Sequence, residues 1–104
     1  MSSLPLDHTE ESFFPVRDRN ELLGALSRYV VLTRQEASCR NVDLVASVTH
    51  DGRFVVIEKW DSAAAVQAHL DSPLMTEMAQ SAVTALASKP ELDLLEPISA
   101  YDLE

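Results

Sequence analysis

Two runs of mainly β-branched residues, joined by a short turn signal, constrain the fold of this chain more than any other feature. The first run, NVDLVASVTH, ends at His50, and the second, RFVVIEKW, begins at Arg53. Between them lies Asp51-Gly52, a pair that favours a type I′ turn because glycine adopts positive φ at little cost. The sequence therefore predicts an antiparallel hairpin with a two-residue loop.

A two-residue loop would also determine which side chains of the hairpin share a face. His50 would pair with Arg53, and side chains would alternate between two faces on both strands. One face would be apolar and is predicted to belong to the core; its apolar residues are Leu44, Ala46, Val48, Val55 and Ile57. The other face would be mixed and could line a pocket or meet a partner; it pairs Asp43 with Trp60, Val45 with Glu58, Ser47 with Val56 and Thr49 with Phe54.

The residues before the hairpin predict a strand followed by a helix. Apolar residues between Asn20 and about Ala37 recur at intervals of three and four, which is the period of one buried helix face, and the first residue of this range can act as the N-cap. A strand is expected around Ser12 to Val16. Residues 1–11 are more polar and are expected to form a poorly ordered or atypical N-terminal segment, with Glu10 and Glu11 in solvent.

After the hairpin the sequence predicts two helices and a last strand. Asp61 or Ser62 caps a short helix over AAAVQAHL, and Ser72 caps a second one, with Pro73 at its first position, that extends to about Ala87. The segment ELDLLEPI is expected to close the sheet as its last strand. The order β-α-β-β-α-α-β is typical of a ferredoxin-like α+β fold, in which a four-stranded antiparallel sheet carries helices on one face.

Composition limits the number of domains and the kinds of partner. The chain has 104 residues, of which 46% are hydrophobic, so we expect a single domain over residues 1–104. A formal charge of −9 with scattered basic residues disfavours nucleic acid and anionic membranes, and no apolar run is long enough to span a bilayer. A lone Cys39 and three dispersed histidines match no disulfide or zinc spacing, so we expect a cytoplasmic protein without a metal.

The predicted fold has one uncovered surface. A sheet with helices on one face leaves its other face bare, and in a chain of this size that face would expose a large apolar patch. A homodimer that pairs two such faces would cover both patches, because a self-complementary surface closes on itself. The sequence therefore predicts a homodimer.

Three residues near the hairpin and the following helix have two interpretations each. Glu58 either makes a structural hydrogen bond, to the backbone or to an arginine such as Arg28 or Arg34, or acts as a general base with a raised pKa. His69 borders the apolar stripe of its helix and either relays a proton or bonds a backbone carbonyl as a structural residue. Trp60 is either core or interface filler or the wall of a pocket.

The segment RFVVIEKWDSAAAVQAHLDSP, residues 53–73, resembles the signature of the antibiotic biosynthesis monooxygenase family, within the dimeric α+β barrel superfamily. In that family a strand of the form Arg-Phe-Val-x-x-Glu-x-Trp leads into an Asp-capped helix that ends in His-Leu-x-Ser-Pro. The matching residues are Arg53, Phe54, Val55, Glu58, Trp60, Ala64, His69, Ser72 and Pro73. Upstream, Glu36 and Cys39 match the family's Glu-Pro-Gly-Cys turn, and the similarity extends from about Asn20 to Ile98.

The resemblance implies a reaction and a set of site residues. It implies a homodimeric monooxygenase that oxidises a small aromatic ring, of phenol, quinol or anthrone type, with dioxygen and without a flavin or metal cofactor. His69 and Glu58 are the catalytic candidates, and the substrate-binding candidates are Trp60, Tyr29, Phe54, Met75 and Met78.

At two positions this sequence differs from the family pattern, and these differences narrow the range of expected activities. Met78 stands where haem-degrading members carry their iron-binding histidine, so haem degradation is not expected. Leu74 follows Pro73, where many members have a histidine that could transfer a proton. The alternatives to a monooxygenase are a non-enzymatic dimer that binds a small ligand or serves a stress role, and an isomerase on the same scaffold.

Overall fold

The computed structural model describes residues 8–96, which form a four-stranded antiparallel sheet covered on one face by helices. In chain order the elements are β1 (His8–Pro15), α1 (Arg19–Thr33), β2 (Cys39–Ala46), β3 (Arg53–Trp60), α2 (Ala63–Leu70), α3 (Pro73–Ala82) and β4 (Glu91–Leu95). The strands lie in the order β2-β3-β1-β4. The predicted ferredoxin-like α+β architecture is therefore confirmed.

The boundaries of α1 follow from its cap and from the turn after it. Asp18, rather than Asn20, is the N-cap, and its carboxylate accepts a hydrogen bond of 3.0 Å from the backbone N–H of Glu21. The helix ends at Thr33, four residues before the predicted end, because residues 34–38 form a turn that leads directly into β2.

The two later helices begin where the sequence predicts. The hydroxyls of Ser62 and Ser72 accept hydrogen bonds from backbone N–H groups in the first turns of α2 and α3. The second of these helices ends earlier than predicted, at Ala82, and one 3-10 turn at Val83–Ala85 follows it. Among the described residues no helix is long and apolar enough to cross a membrane.

The first strand begins earlier than predicted. It starts at His8, so that Glu10 and Glu11 lie within the sheet and not in a solvated tail. Residues 1–7 of the expected N-terminal segment, and the last residues of the expected closing strand after Glu96, lie outside the described residues.

The loop between β2 and β3 is longer than the predicted two-residue turn. It spans residues 47–52, and the hydroxyl of Ser47 accepts hydrogen bonds from the backbone N–H groups of Thr49 and His50. Gly52 has a φ of 76°, so glycine does provide the positive φ that the Asp-Gly signal predicted. The turn residue was correctly predicted, but the loop length was wrong because the serine turn extends the loop.

The longer loop changes the register of the hairpin, so the β3 side chains lie on the face opposite to the predicted one, whereas Leu44 of β2 stays on its predicted core face. Glu58 pairs with Val42 rather than Val45, an odd shift, and an odd shift moves side chains to the opposite face. The face toward the helices therefore carries Val42, Leu44, Phe54, Val56, Glu58 and Trp60. Val55 and Ile57, predicted as core, lie half-buried on the other face, and Val48 is exposed in the loop.

The core between the sheet and the helices buries polar side chains as well as apolar ones. Its apolar part includes Leu22 and Leu26 from α1, and Phe14, Val42, Phe54, Val56, Met78 and Ala82 from other elements. Four polar residues are buried with them: Glu10, Thr33, Glu58 and His69. Burying a carboxyl or an imidazole is costly unless its polar atoms find partners. These residues therefore locate the candidate site.

Candidate functional site

Tyr29 lies at the centre of a buried hydrogen-bond network. Its hydroxyl oxygen is 2.5 Å from Glu58 Oε2 and 2.6 Å from His69 Nε2. Helix α1 presents the tyrosine, β3 the glutamate and the last turn of α2 the histidine, and none of the three side chains is appreciably exposed. Since the hydroxyl has one proton, it donates to one neighbour and accepts from the other.

Trp60 and Glu36 hold the two ends of this network. The indole N–H of Trp60 donates a 3.0 Å hydrogen bond to Glu58 Oε1, and the indole ring packs against His69 at a tilt of 35°, with ring centroids 4.4 Å apart. At the other end, Glu36 Oε2 lies 2.9 Å from His69 Nδ1, and 33% of the Glu36 side chain is exposed. The network therefore runs from a buried carboxyl to a carboxyl in contact with solvent.

Two arrangements of protons satisfy both contacts of the Tyr29 hydroxyl. In one, a protonated Glu58 donates to Tyr29, and the tyrosine hydroxyl donates to a neutral His69. In the other, Tyr29 donates to an ionised Glu58 and accepts from a protonated His69, whose Nε2 also lies 3.5 Å from Glu58 Oε1. In both, His69 Nδ1–H donates to Glu36. The two arrangements differ by one proton passed through the tyrosine hydroxyl, so the geometry is suited to proton relay.

Burial raises the pKa of both Glu58 and Tyr29. Desolvation is the largest cause that raises the pKa of the Glu58 carboxyl, and hydrogen bonds from Tyr29 and Trp60 and the charge of His69 oppose it. Desolvation also raises the pKa of the Tyr29 hydroxyl, and the charge of Glu58 adds to that rise. A carboxyl with a raised pKa holds a proton more firmly once it has accepted one, which suits a general base.

A cavity of about 260 Å³ lies beside the network, between the sheet, α3 and the segment that enters β4. Tyr29, Glu58 and Glu10 form its polar floor, and its apolar walls include Phe14, Leu70, Met75, Met78 and Leu92. A second apolar cavity of about 410 Å³ shares several of these wall residues and continues the space along α3. Together they form a concave apolar site with a few convergent polar groups, which is typical of small-molecule sites.

Glu10 is a residue of this site that the sequence analysis missed. It lies on β1 directly opposite Glu58, with 0% of its surface exposed, and neither carboxyl oxygen bonds another described residue. Desolvation, followed by the charge of Glu58, raises the pKa of Glu10 to about 8, so it is protonated at neutral pH. The alternation of Glu10, Ser12 and Phe14 along one strand face was the available signal, but the polar residues around it favoured a solvated tail.

The structure brings six of the seven predicted site residues to one place. Four of them form the network: Tyr29, Glu58, Trp60 and His69. Met75 and Met78 line the cavity, whereas Trp60 and His69 lie behind its floor. Phe54 lies elsewhere, packed in the core with the Arg19 guanidinium 5.0 Å from its ring centroid, and it lines neither of these two cavities.

The predicted arginine partners of Glu58 were also wrong. Arg28 pairs instead with Glu77 on the surface, at 3.1 Å, and Arg34 donates to the backbone carbonyl of Val42. The partners of Glu58 are a tyrosine and a tryptophan, because burial brings uncharged donors of α1 and β3 to this carboxyl. Over residues 8–96 no three side chains of His, Cys, Asp or Glu are grouped so that they could hold a metal ion.

The fold is that of a ferredoxin-like α+β protein with an apolar cavity beside a buried hydrogen-bond network. Residues 17–81 match the family described as antibiotic biosynthesis monooxygenase, and the chain belongs to that family. The matched region contains the whole Glu36, Tyr29, Glu58, Trp60 and His69 network but not Glu10. The family resemblance predicted from residues 53–73 is confirmed.

Solved structures from several organisms have the same fold. Rv0793 from Mycobacterium tuberculosis is 26% identical, with a TM-score of 0.81 over 88% of this chain and 95% of its own. PA3566 from Pseudomonas aeruginosa is 20% identical, with a TM-score of 0.80 over 93% and 99% of the two chains. A conserved protein from Methanosarcina mazei is 14% identical, with a TM-score of 0.83 over 89% and 94%. No functionally curated protein is detectably similar in sequence.

Proposed function

We propose that this protein is a monooxygenase that oxidises a small aromatic ring of phenol, quinol or anthrone type with dioxygen, in the cavity above Tyr29 and Glu58. The observation that supports the proposal most is the proton-relay network that opens onto an apolar cavity. Membership of the antibiotic biosynthesis monooxygenase family supports the class of reaction. We further propose that the protein acts in the cytoplasm and that the ring itself, not a flavin or metal, reduces dioxygen.

The first step is removal of a proton from the ring substrate. In the state of the network that has one proton fewer, Glu58 is ionised and His69 is neutral. The Tyr29 hydroxyl has a single proton, so it can donate a hydrogen bond to Glu58 or to His69 but not to both. A proton taken from a ring hydroxyl or an activated ring carbon completes the network. Glu58 receives this proton at the cavity floor, and Tyr29 passes a proton on to His69. The catalytic contact with substrate is therefore assigned to Glu58 and Tyr29, and His69 acts through them.

The second step is oxidation of the resulting electron-rich anion. The anion gives one electron to dioxygen, and the ring radical and superoxide combine, with return of a proton from the network, to form a ring hydroperoxide. Loss of water then breaks the O–O bond and leaves a carbonyl on the ring carbon. One dioxygen molecule takes four electrons in all; one oxygen atom enters the ring and the other leaves as water. The protein supplies the base and an apolar cavity that holds the ring beside it.

An oxygen-electrode screen tests this function. We expect the purified protein, without added flavin and in the presence of a chelator, to consume dioxygen with at least one of anthrone, dihydroxynaphthalene or catechol, with one dioxygen used for each ring oxidised. Heat-denatured protein provides the control for autoxidation of the rings. Binding of these rings without any oxygen uptake above the control would instead favour a non-enzymatic ligand-binding protein.

We also propose that the protein forms a homodimer through the sheet face opposite the helices. That face carries the side chains of Phe13, Val45, Val55, Ile57 and Leu95, and in the single chain all of them are half-buried or exposed. The Arg53 guanidinium lies 5.4 Å from the Phe13 ring centroid on the same face. These apolar side chains lie on all four strands, on either side of a row that contains Asp43, Ile57, Glu11 and Asp93, and a second copy would cover them.

Substitution Ile57→Asp is expected to disrupt this dimer, because it removes the central apolar side chain of the face and adds a negative charge between Asp43 and Glu11. Light scattering at micromolar concentration should give about twice the chain mass of 11.5 kDa for the wild type and the single-chain mass for the variant. Val31→Asp, on the exposed face of α1, is the matched control and should leave the dimer intact. A monomeric wild type would refute the proposed interface.

A further inference from the structure

Glu10 is a buried carboxyl of the cavity floor that the proposed function does not yet use. Its carboxyl is fully buried, and neither of its oxygens has a hydrogen-bond partner among residues 8–96. The other two floor residues, Tyr29 and Glu58, are both engaged with each other and with His69 or Trp60. A buried polar group without a partner is costly, so Glu10 is expected to bond whatever molecule fills the cavity.

Among residues 8–96, the neighbours of Glu10 in the sheet provide no hydrogen-bond partner for it, and the cavity is the remaining source. In the sheet its row contains Glu58 on β3 and Leu94 on β4. The oxygens of Glu58 already accept hydrogen bonds from Trp60 and contact Tyr29, and leucine offers no polar side-chain atom. The remaining side of the Glu10 carboxyl lies against the cavity itself.

We propose that Glu10 is a ligand-binding acid that, in its neutral form, donates a hydrogen bond to a carbonyl or hydroxyl oxygen of an uncharged aromatic ligand, and that the Glu58 carboxylate beside it disfavours anionic ligands in the cavity. This inference rests on the proposed function for the aromatic class of ligand. In the oxidation, the same hydrogen bond would stabilise the negative charge that develops on the ring oxygen as Glu58 and Tyr29 remove the proton.

The charges around Glu10 support both parts of the proposal. Glu58 faces it from β3 and Tyr29 faces it from α1, so an ionised Glu10 would place two carboxylates side by side in an apolar site. Lys89 and Glu91, at the opening, are solvent-exposed and offset each other in charge. The cavity therefore offers no net positive charge to a carboxylate or phosphate ligand, whereas a neutral ring oxygen can accept from the Glu10 hydroxyl.

Binding of three ring compounds of similar size tests this role by calorimetry. The compounds are α-tetralone, which has a ring carbonyl, tetralin, which lacks it, and naphthoate, which is an anion. At pH 6.5 the wild type should bind α-tetralone roughly tenfold more tightly than tetralin, the effect of one hydrogen bond, and naphthoate more weakly than either. Glu10→Leu should lose the preference for α-tetralone, and Glu10→Gln should keep it because an amide also donates.

Raising the pH gives a second readout that a merely structural role would not produce. Above pH 8 the wild type should lose its preference for α-tetralone as Glu10 ionises and stops donating, whereas Glu10→Gln should retain it. Asp51→Asn, exposed in the loop between β2 and β3, is the control for loss of a carboxylate and should behave as the wild type. An unchanged preference in Glu10→Leu, or tight binding of naphthoate, would overturn the inference. Binding of α-tetralone needs no turnover, so the calorimetric result stands whether or not the oxygen-uptake screen detects a reaction.

Discussion

Replacement of Tyr29 by phenylalanine is expected to lower kcat/KM for ring oxidation by at least about 100-fold, the usual effect of removing a group from a general acid–base system. The phenylalanine ring fills the same place in the core, but the hydroxyl that connects Glu58 Oε2 with His69 Nε2 is gone. Glu58 could still accept a proton from the ring, yet it could no longer pass one on to His69. The measurement is the initial rate of oxygen uptake over a range of ring concentrations.

The stability of this variant must be measured beside its rate. Loss of the hydroxyl leaves Glu58 and His69 each without one partner, which should cost about 1–3 kcal/mol in the free energy of unfolding, a loss that a folded domain can tolerate. Thr84→Val is the matched control, because it removes a hydroxyl that donates a 2.7 Å hydrogen bond to a carboxylate, that of Glu21, away from the cavity. We expect its rate to equal that of the wild type. A Tyr29→Phe protein that stays folded and keeps the full rate would show that proton transfer does not pass through this hydroxyl.

The free energy of unfolding is expected to fall as the pH rises from about 4.5 to about 8, and Glu10→Gln should remove much of that fall. Burial raises the pKa of Glu10 from 4.5 to about 8, so between these values the folded chain holds a proton that the unfolded chain has lost. The stability that this group contributes is complete at low pH and is lost as the pH approaches 8. At about 1.4 kcal/mol for each pKa unit, the whole effect is at most about 5 kcal/mol.

Urea denaturation of both proteins at pH 5, 6.5 and 8.5 would measure this effect. The pKa of Glu58 is raised as well and acts in the same direction, so the difference between wild type and Glu10→Gln isolates the contribution of Glu10. The variant should gain stability relative to the wild type as the pH rises. Asp51→Asn, exposed in the loop between β2 and β3, controls for the loss of one carboxylate. Parallel pH profiles for wild type and Glu10→Gln would show that Glu10 titrates normally.

Much of this fold could be predicted because its signals are local. Ser62 and Ser72 cap α2 and α3 through bonds to backbone groups three residues away, and Pro73 suits the first position of a helix. The spacing of Glu58, Trp60 and His69 could likewise be recognised as a family pattern without knowledge of their contacts. Tyr29 joins them from a helix 29 residues earlier in the chain, and the pattern of α1 did not distinguish it from the apolar core residues around it.

The residues that the sequence could not assign are those whose environment depends on pairing between distant strands. Glu10 is buried because β1 lies between β3 and β4, which places it beside Glu58 and under the cavity. Phe54 packs under Arg19 in the core because the hairpin register and α1 bring the two side chains together. Both depend on contacts that no short segment encodes.

The sequence by itself determined which segments become helices and strands, the family, and the residue types available for proton transfer. Only the tertiary structure decided which face of the hairpin is buried. The Ser47 turn lengthens the loop to residues 47–52, and the resulting odd shift in register turns the face of Glu58 and Trp60 toward the helices. The physical reason is that strand side chains alternate with a period of two, so a few hydrogen bonds in one loop select between core and surface for a whole strand.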